Sequence, residues 1–236
     1  MSHPERIVPD ETEPGIVALH RKRYEFALPF CAGREVLDAG CGVGYGSALL
    51  GEGARRVVGV DNDPDAIEYA RRRYGAPNVD FAVGDLLALE LGDDAFDVVC
   101  SFETIEHLPD RERYLGEMRR VLRLEGTFLV STPRAERTTE RPANPHHAVE
   151  LSRADLEALL RRSFESVEVF GQQRIQTRRH RLLQRADVLG LRRRLTFLRP
   201  AWRLLGTRPM AHVGSEEIAI SREGLDRASE LIAVCR

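Results

Sequence analysis

The sequence predicts an α/β domain with a doubly wound, mostly parallel sheet, and three observations support this fold class. Short apolar runs alternate with amphipathic segments from residue 34 to residue 133, as strands do with crossover helices. A glycine-rich turn follows the first apolar run, and an acidic residue follows each of the next two. The composition, 42% hydrophobic and 31% charged, is that of a globular protein, and 236 residues suffice for one such domain.

The individual elements are predicted in chain order from apolar spacing, caps and breakers. The predicted helices cover five segments: 15–30, 45–52, 64–74, 110–122 and 153–162. The predicted strands cover seven: 34–38, 56–60, 79–83, 96–101, 127–132, 165–170 and 231–235. Asp63, just before Pro64, and Ser152 are the predicted N-caps of the third and fifth helices.

The segment 36–46 joins the first strand to a helix through a turn with glycine at every second position. Such a turn lets the backbone approach a ligand closely. The dinucleotide pattern G-x-G-x-x-G fails in both registers, because Tyr45 or Ser47 occupies the third glycine position. The Asp38 carboxylate, just before the turn, would repel a pyrophosphate and attract a ligand that carries ammonium and sulfonium groups.

Residues 34–133 resemble the class I S-adenosylmethionine-dependent methyltransferases through motifs in the family's usual order: D-x-G-x-G-x-G, V-V-G-V-D-N-D-P, V-G-D-L and F-D-V-V-C-S-F-E-T-I-E-H-L. One departure is Leu124-Glu125-Gly126, where the family usually has proline-glycine-glycine. The resemblance implies a Rossmann-like sheet of seven strands, of which the last, 231–235, is antiparallel. It also implies S-adenosylmethionine as cofactor and a single domain over residues 1–236.

Acidic residues at strand ends are candidates for holding this cofactor. Asp61, after the second strand, can accept both ribose hydroxyls, and Asp85, after the third, can accept from the adenine amino group. Each of them alone also fits an ordinary turn or cap residue. The full set of predicted cofactor contacts is Tyr24, Asp38, Gly40, Gly42, Gly44, Tyr45, Asp61, Asn62, Asp85, Leu86 and Ser101.

Residues 1–32 are predicted to form an N-terminal helical cap beside the first strand. Its cluster of His20, Arg23 and Tyr24 either contacts cofactor or substrate, or simply packs the helix onto the sheet. The spacing of these residues does not distinguish the two roles, so both remain open.

The segment 103–107 follows the fourth strand and is the candidate catalytic segment. If it is helical, Glu103, Glu106 and His107 share one face. These groups, with a possible fourth ligand downstream in the segment 144–151, suit Mg²⁺ or another divalent cation. Alternatively, His107 or His147, with Glu103 near it, takes the acceptor's proton without a metal. A non-catalytic role is the third alternative.

The pattern E-x-x-E-H with a later H-x-x-E-L resembles two groups of metal-using methyltransferases. One group makes O-methyl quinones in ubiquinone synthesis, and the other methylates the terminal 2′-hydroxyl of small RNAs. In the RNA group both glutamates and both histidines bind the metal, which implies Glu103, Glu106, His107 and His147 as ligands here.

The segment after the fifth strand carries a narrower resemblance. N-P-H-H-A-V-E-L-S-R-A-D-L-E-A-L-L and F-E-S-V-E-V-F-G-Q are similar to methyltransferases of polysaccharide and glycosylated natural-product clusters. The resemblance implies methylation of a sugar hydroxyl on a glycan precursor or glycosylated small molecule. A quinone or phenol O-methyltransferase is the second expectation, and RNA 2′-O-methylation is the third. The alternative that is not an enzyme is a regulatory protein that binds the cofactor without catalysis.

A basic insertion is predicted at 172–215, before the last strand. Residues 174–208 hold eleven arginines and one acidic residue, with Phe197 and Trp202 among them. The segment suits an anionic, phosphate-bearing substrate, an anionic membrane surface or, least favoured, RNA. A solvated helical insertion is the fourth alternative, and the oligomeric state is left open.

The cysteines and the lengths of the apolar runs indicate the cellular location of the protein. Four cysteines are scattered without a C-x-x-C pair, which favours reduced thiols over disulfides or zinc. The first residues are polar and unlike a signal peptide, and no apolar run has a membrane-spanning length. We therefore expect a cytoplasmic protein. The arginine-rich segment 174–208 suggests an alternative location, peripheral to the inner membrane surface.

Overall fold

The computed structural model of the chain describes residues 6–175 and 213–236. Within these residues eight strands form one sheet, in the order β3-β2-β1-β4-β5-β8-β6-β7. The strands are β1 (Glu35–Ala39), β2 (Arg56–Asp61), β3 (Val79–Val83), β4 (Phe96–Phe102), β5 (Leu122–Pro133), β6 (Val167–Arg174), β7 (Ile218–Ser221) and β8 (Glu230–Cys235). Pairs among β1 to β5 are parallel, whereas β8 is antiparallel to β5 and β6.

Five α-helices lie within the described residues: α1 (Pro14–Cys31), α2 (Tyr45–Gly51), α3 (Pro64–Tyr74), α4 (Arg111–Val121) and α5 (Arg153–Leu160). Each predicted helix is confirmed to within two residues at either end. Both predicted N-caps are confirmed too, since Asp63 accepts hydrogen bonds from the Asp65 and Ala66 amides and Ser152 accepts one from the Asp155 amide.

The sheet contains one strand more than the sequence predicts. The added strand, β7, has four residues and pairs antiparallel with β6 at the edge, and so short a segment carries little periodicity. β5 also begins earlier than predicted, at Leu122, and its pairing with β4 shifts register after that residue. Leu124-Glu125-Gly126 therefore lies inside an irregular part of β5 and not in a turn.

Helices cover both faces of the sheet and create two apolar layers. One layer packs α4 and α5 onto the sheet through residues such as Tyr114, Leu156 and Phe128. The other packs the first three helices through residues such as Tyr24 and Ile67. The carboxyl ends of β1, β2, β3 and β4 meet at one edge, which is where ligands bind in sheets of this kind.

The predicted basic insertion falls mostly outside the described residues, because 176–212 are not among them. Ten of the eleven arginines of 174–208 lie in that gap, so the structure does not bear on their role. The four cysteines are all described, buried and unpaired, as the sequence predicts. Among the described residues no helix combines the length and apolar character that a bilayer span requires.

Candidate active site

A cleft with a volume of about 330 Å³ opens at the carboxyl edge of the sheet. Its lining comes from the glycine turn, the ends of β2 and β4, α1 and the segment before α1. The predicted residues that line the cleft are Tyr24, Gly40, Gly42, Tyr45, Asp61, Asn62, Asp85, Leu86, Glu103, Glu106, His107 and His147.

Three predicted cofactor contacts, Asp38, Gly44 and Ser101, are buried and are not among the residues that line the cleft. Gly44 is the N-cap of α2 with φ of 86°, and a Cβ there would lie 2.7 Å from Ala70. The Ser101 hydroxyl donates to the Ala39 carbonyl at 2.7 Å. These two residues shape the turn, and their contact with the cofactor stays a prediction.

Asp38 is fully buried beneath the glycine turn, where its carboxylate is hydrogen-bonded to side chains of two helices. Its carboxylate accepts hydrogen bonds from the Ser47 hydroxyl at 2.6 Å and the Tyr24 hydroxyl at 3.3 Å. Burial raises the pKa of Asp38 to about 7, which the two hydrogen bonds only partly oppose. The residue therefore connects α1 to α2, and any effect on a ligand passes through this connection or through its charge.

Asp61 and Asp85 reach the cleft with ordered carboxylates. Asp61 accepts from the Gly42 amide at 2.9 Å and from the Asp63 amide at 3.0 Å. Asp85 is exposed and accepts from the Leu87 amide at 2.9 Å. Both lie beyond parallel strands, as predicted, and present acceptors to hydroxyl and amino groups.

The predicted helical face of Glu103, Glu106 and His107 is wrong. Glu103 has φ of 52°, and only Ile105–His107 form a single 3₁₀ turn. Glu103 is not in the cluster of ligand atoms that Glu106 and His107 form with His147. A positive φ in a glutamate is costly, and such strain is concentrated at functional sites.

The Glu103 side chain belongs to a network of ion pairs centred on Arg23. Its carboxylate accepts from the Ser131 hydroxyl at 2.8 Å and lies 3.5 Å from the guanidinium of Arg23, a residue only 1% exposed. The same guanidinium lies 3.7 Å from Glu230, whose pKa is raised by burial. Burial and the Arg23 charge also lower the pKa of His20, which keeps that imidazole neutral.

Two histidines from distant parts of the chain meet at the cleft. The ring centroids of His107 and His147 are 5.0 Å apart. The loop that carries His147 is bound to the 3₁₀ turn, because the Ala148 and Val149 amides both donate to the Glu106 carbonyl, at 2.7 and 3.2 Å. The predicted juxtaposition of these two histidines is thus present.

Backbone and side-chain partners define the tautomers of these rings. His107 Nδ1 lies 2.9 Å from the His146 carbonyl oxygen, which can only accept, so in the neutral ring Nδ1 carries the proton and Nε2 the lone pair. His147 Nδ1 lies 3.1 Å from a Glu150 carboxylate oxygen, and its Nε2 lies 2.9 Å from the Asn144 amide nitrogen. His107 is therefore arranged as a proton acceptor, whereas Asn144 and Glu150 hold His147 from both sides.

Three of the four predicted metal ligands form a cluster. Glu106, His107 and His147 each place one ligand atom within 4.8 Å of the others, and Glu103 is not part of this group. Glu106 is 1% exposed, and its Oε2 has no hydrogen-bond partner within the described residues. Burial, and secondly Glu103, raise its pKa well above the ordinary value.

Sequence reasoning missed several residues of this site. Arg6 and Ile7, before α1, line the cleft, and so does His20, which the sequence already indicates as a possible contact. Arg6 stands in a polar, proline-broken stretch that carries no signal for a site. Asn144 was also missed, whereas the H-x-x-E spacing from His147 could have identified Glu150 as a partner.

The fold is the Rossmann-like fold of the class I methyltransferases. A family model described as a methyltransferase domain matches residues 37–130. A solved SAM-dependent methyltransferase of Thermotoga maritima superposes with a TM-score of 0.65 at 18% identity, over 96% of this chain and 94% of that one. One from Mesorhizobium loti does so with a TM-score of 0.59 at 21% identity, over 94% and 100%.

Relatives of closer sequence come from mycobacteria. One from Mycolicibacterium smegmatis, named "Probable S-adenosylmethionine-dependent methyltransferase", is 45% identical over 154 residues, 63% of this chain and 58% of its own. One from Mycobacterium tuberculosis with the same description is 41% identical over 162 residues, 66% of this chain and 58% of its own. The chain thus spans a little over half the length of these relatives.

Proposed function

We propose that the protein is an S-adenosylmethionine-dependent O-methyltransferase. The observation that carries the proposal is the cleft itself, which the glycine turn, Asp61, Asp85 and His107 line together. The matched methyltransferase domain and the names of the mycobacterial relatives support the coarser part of the proposal, methyl transfer from S-adenosylmethionine. Calorimetric titration with S-adenosylhomocysteine tests the cofactor half of the proposal, because a protein without this site will release no heat of binding.

For the acceptor we propose a hydroxyl group, specifically a sugar hydroxyl of a glycan precursor or glycosylated natural product. An alcohol must lose a proton as it attacks the sulfonium methyl, whereas a carboxylate is already ionised and needs no base. The proton-accepting tautomer of His107 therefore favours an alcohol. The names of other relatives include both classes of acceptor, since one is named a fatty-acid O-methyltransferase and another a probable phthiotriol/phenolphthiotriol dimycocerosates methyltransferase.

Replacing His107 with glutamine is expected to lower kcat by about 10²- to 10⁴-fold, the usual contribution of a general base. The affinity for S-adenosylhomocysteine should stay within about twofold, because a base acts only on the acceptor. The measurement is the rate of S-adenosylhomocysteine formation with sugar nucleotides, glycosides and dihydroxyphenols as acceptors. H146Q is the matched control, since His146 contributes its backbone carbonyl and does not line the cleft. Equal kcat in wild type and H107Q would refute the role of His107.

A second candidate is a quinone or phenol O-methyltransferase that uses a divalent cation, and the cluster of Glu106, His107 and His147 favours it. The buried Glu106 oxygen without a partner in the described part of the chain fits a cation, and imidazole nitrogens are common ligands. A bound cation would lower the pKa of an acceptor hydroxyl. RNA 2′-O-methylation is the third candidate, and it would use the same cluster.

Removal of divalent cations separates the two mechanisms. If a metal-free base acts, enzyme dialysed against EDTA is expected to keep its full rate, and E106Q to change it little. If a cation acts, the dialysed enzyme loses most of its rate and Mg²⁺ or Mn²⁺ restores it. The acceptor series above, extended with a short RNA, shows which hydroxyl receives the methyl group.

For the arginine-rich segment 174–208 we propose contact with an anionic, phosphate-bearing substrate, or with the anionic inner membrane surface of the cell. The protein would then be cytoplasmic and in part peripheral. Co-sedimentation with vesicles that contain phosphatidylglycerol tests the membrane arm, whereas a lower KM for phosphorylated than for free sugar supports the substrate arm.

A further inference from the structure

Arg6 reaches into the cofactor end of the cleft from the chain before α1. Its guanidinium forms an ion pair with Asp63 and lies 3.5 Å from Asp61. The Arg6 side chain is only 10% exposed and lines the cleft, whereas Asp63, 19% exposed, does not line it. The Arg6 guanidinium also lowers the pKa of the Asp63 carboxyl below its ordinary value.

The residues that carry Arg6 are an ordered strap, which we define as residues 6–13. Val8 is buried, and its amide donates to the Thr12 hydroxyl at 3.1 Å. The Glu11 and Thr12 amides donate back to the Val8 carbonyl at 2.9 and 2.8 Å. The strap continues directly into α1, so Arg6 is held at a defined place over the end of β2.

The Asp61 carboxylate has a limited number of acceptor sites, and Arg6 occupies one of them. A carboxylate has about four lone-pair sites, and Asp61 already uses one for the Gly42 amide and one for the Asp63 amide. Arg6 takes a third site through its long contact of 3.5 Å. Two ribose hydroxyls need two sites, so the Arg6 contact to Asp61 must yield when they bind, whereas the ion pair to Asp63 can persist.

We propose that Arg6 is the latch of a strap that covers the adenosine end of the cofactor site: its ion pair with Asp63 persists while cofactor is bound, and it opens transiently each time cofactor enters or leaves. The inference rests on the proposed cofactor. It makes Arg6 a positioning residue that controls both association and dissociation without a part in methyl transfer.

The test measures association and dissociation rates of S-adenosylhomocysteine on immobilised full-length protein by surface plasmon resonance. R6Q removes the cation, and D63N removes its partner while keeping a good N-cap for α3, because asparagine caps helices as well as aspartate does. Each variant is expected to raise koff about fivefold, equivalent to about 1 kcal/mol, and to raise kon as well. The double variant R6Q/D63N should show no further increase.

R21Q is the matched control, since Arg21 pairs with Glu25 on the exposed side of α1 and does not line the cleft. Rates in R6Q and D63N that equal those of R21Q and wild type would overturn the latch. A fall in kon with unchanged koff, or effects that multiply in the double variant, would overturn it too. Wild-type protein that binds no S-adenosylhomocysteine would instead refute the proposed function, so the two failures are distinct.

Discussion

Replacing Gly46 with alanine is expected to lower the free energy of unfolding by about 3 kcal/mol, near the upper end for overpacking a core. Gly46 stands in the first turn of α2, where an added Cβ would overlap the ring of Tyr24. That ring cannot move aside easily. It packs edge-on against Tyr45 and Phe102, and its hydroxyl donates to Asp38. We therefore expect α1 to separate from α2 and the cofactor affinity to fall as well.

Urea denaturation measures this loss, and G116A is the matched control. Gly116 lies inside α4 with no atom within 4 Å of an added Cβ, so the same substitution should stabilise by up to about 1 kcal/mol. Opposite signs for the two variants are the expected result. In a Y24A background the cost of G46A should largely disappear, and an equal cost there would show that the Tyr24 contact is not the cause.

Replacing Asp38 with asparagine is expected to remove a pH dependence of about 4 kcal/mol from the stability of the protein. The pKa of Asp38 is about 7 in the folded protein and 3.8 in the unfolded reference, and each unit corresponds to about 1.4 kcal/mol. The folded state holds the proton more tightly, so ionisation opposes folding. The stabilisation that comes from the proton on Asp38 is fully present below pH 3.8, and it is lost as pH rises through about 7.

The measurement compares unfolding free energies of wild type and D38N from pH 4.5 to 8.5. Because Glu106 and Glu230 also have raised pKa values, the difference between the two proteins isolates Asp38. D38N should be the more stable protein above pH 7, and the difference should shrink towards pH 4.5. A difference that is constant over this range would contradict a raised pKa at Asp38. D38A is a poorer test, since it leaves the hydroxyls of Ser47 and Tyr24 without their acceptor.

The fold was largely predictable because its signals are local and repeated. Apolar strands, N-caps at Asp63 and Ser152, and the alternation of elements all agree with one architecture. The predicted α/β class and antiparallel last strand are confirmed. β7 was missed because its four residues owe their conformation to pairing with β6, a long-range interaction that local sequence does not encode.

The site was predictable only in part. Residues at the ends of parallel strands, such as Asp61 and Asp85, were assigned to the cleft because strand ends must meet at one edge. The face predicted for Glu103 was wrong because a helical spacing was assumed where the backbone adopts a positive φ. The deep burial of Asp38 was not foreseen either, since a position directly before a turn usually suggests exposure.

By itself the sequence determined the order of strands and helices, the glycine turn and the chemical types of the groups at the sheet edge. Those features follow from spacing over a few residues. Only the tertiary structure decided which charges meet: Arg23 with Glu103 and Glu230, and Arg6 with Asp61 and Asp63. These partners are separated by tens of residues or more. Their pairing depends on how α1 and its preceding strap pack over the sheet, which no local pattern specifies.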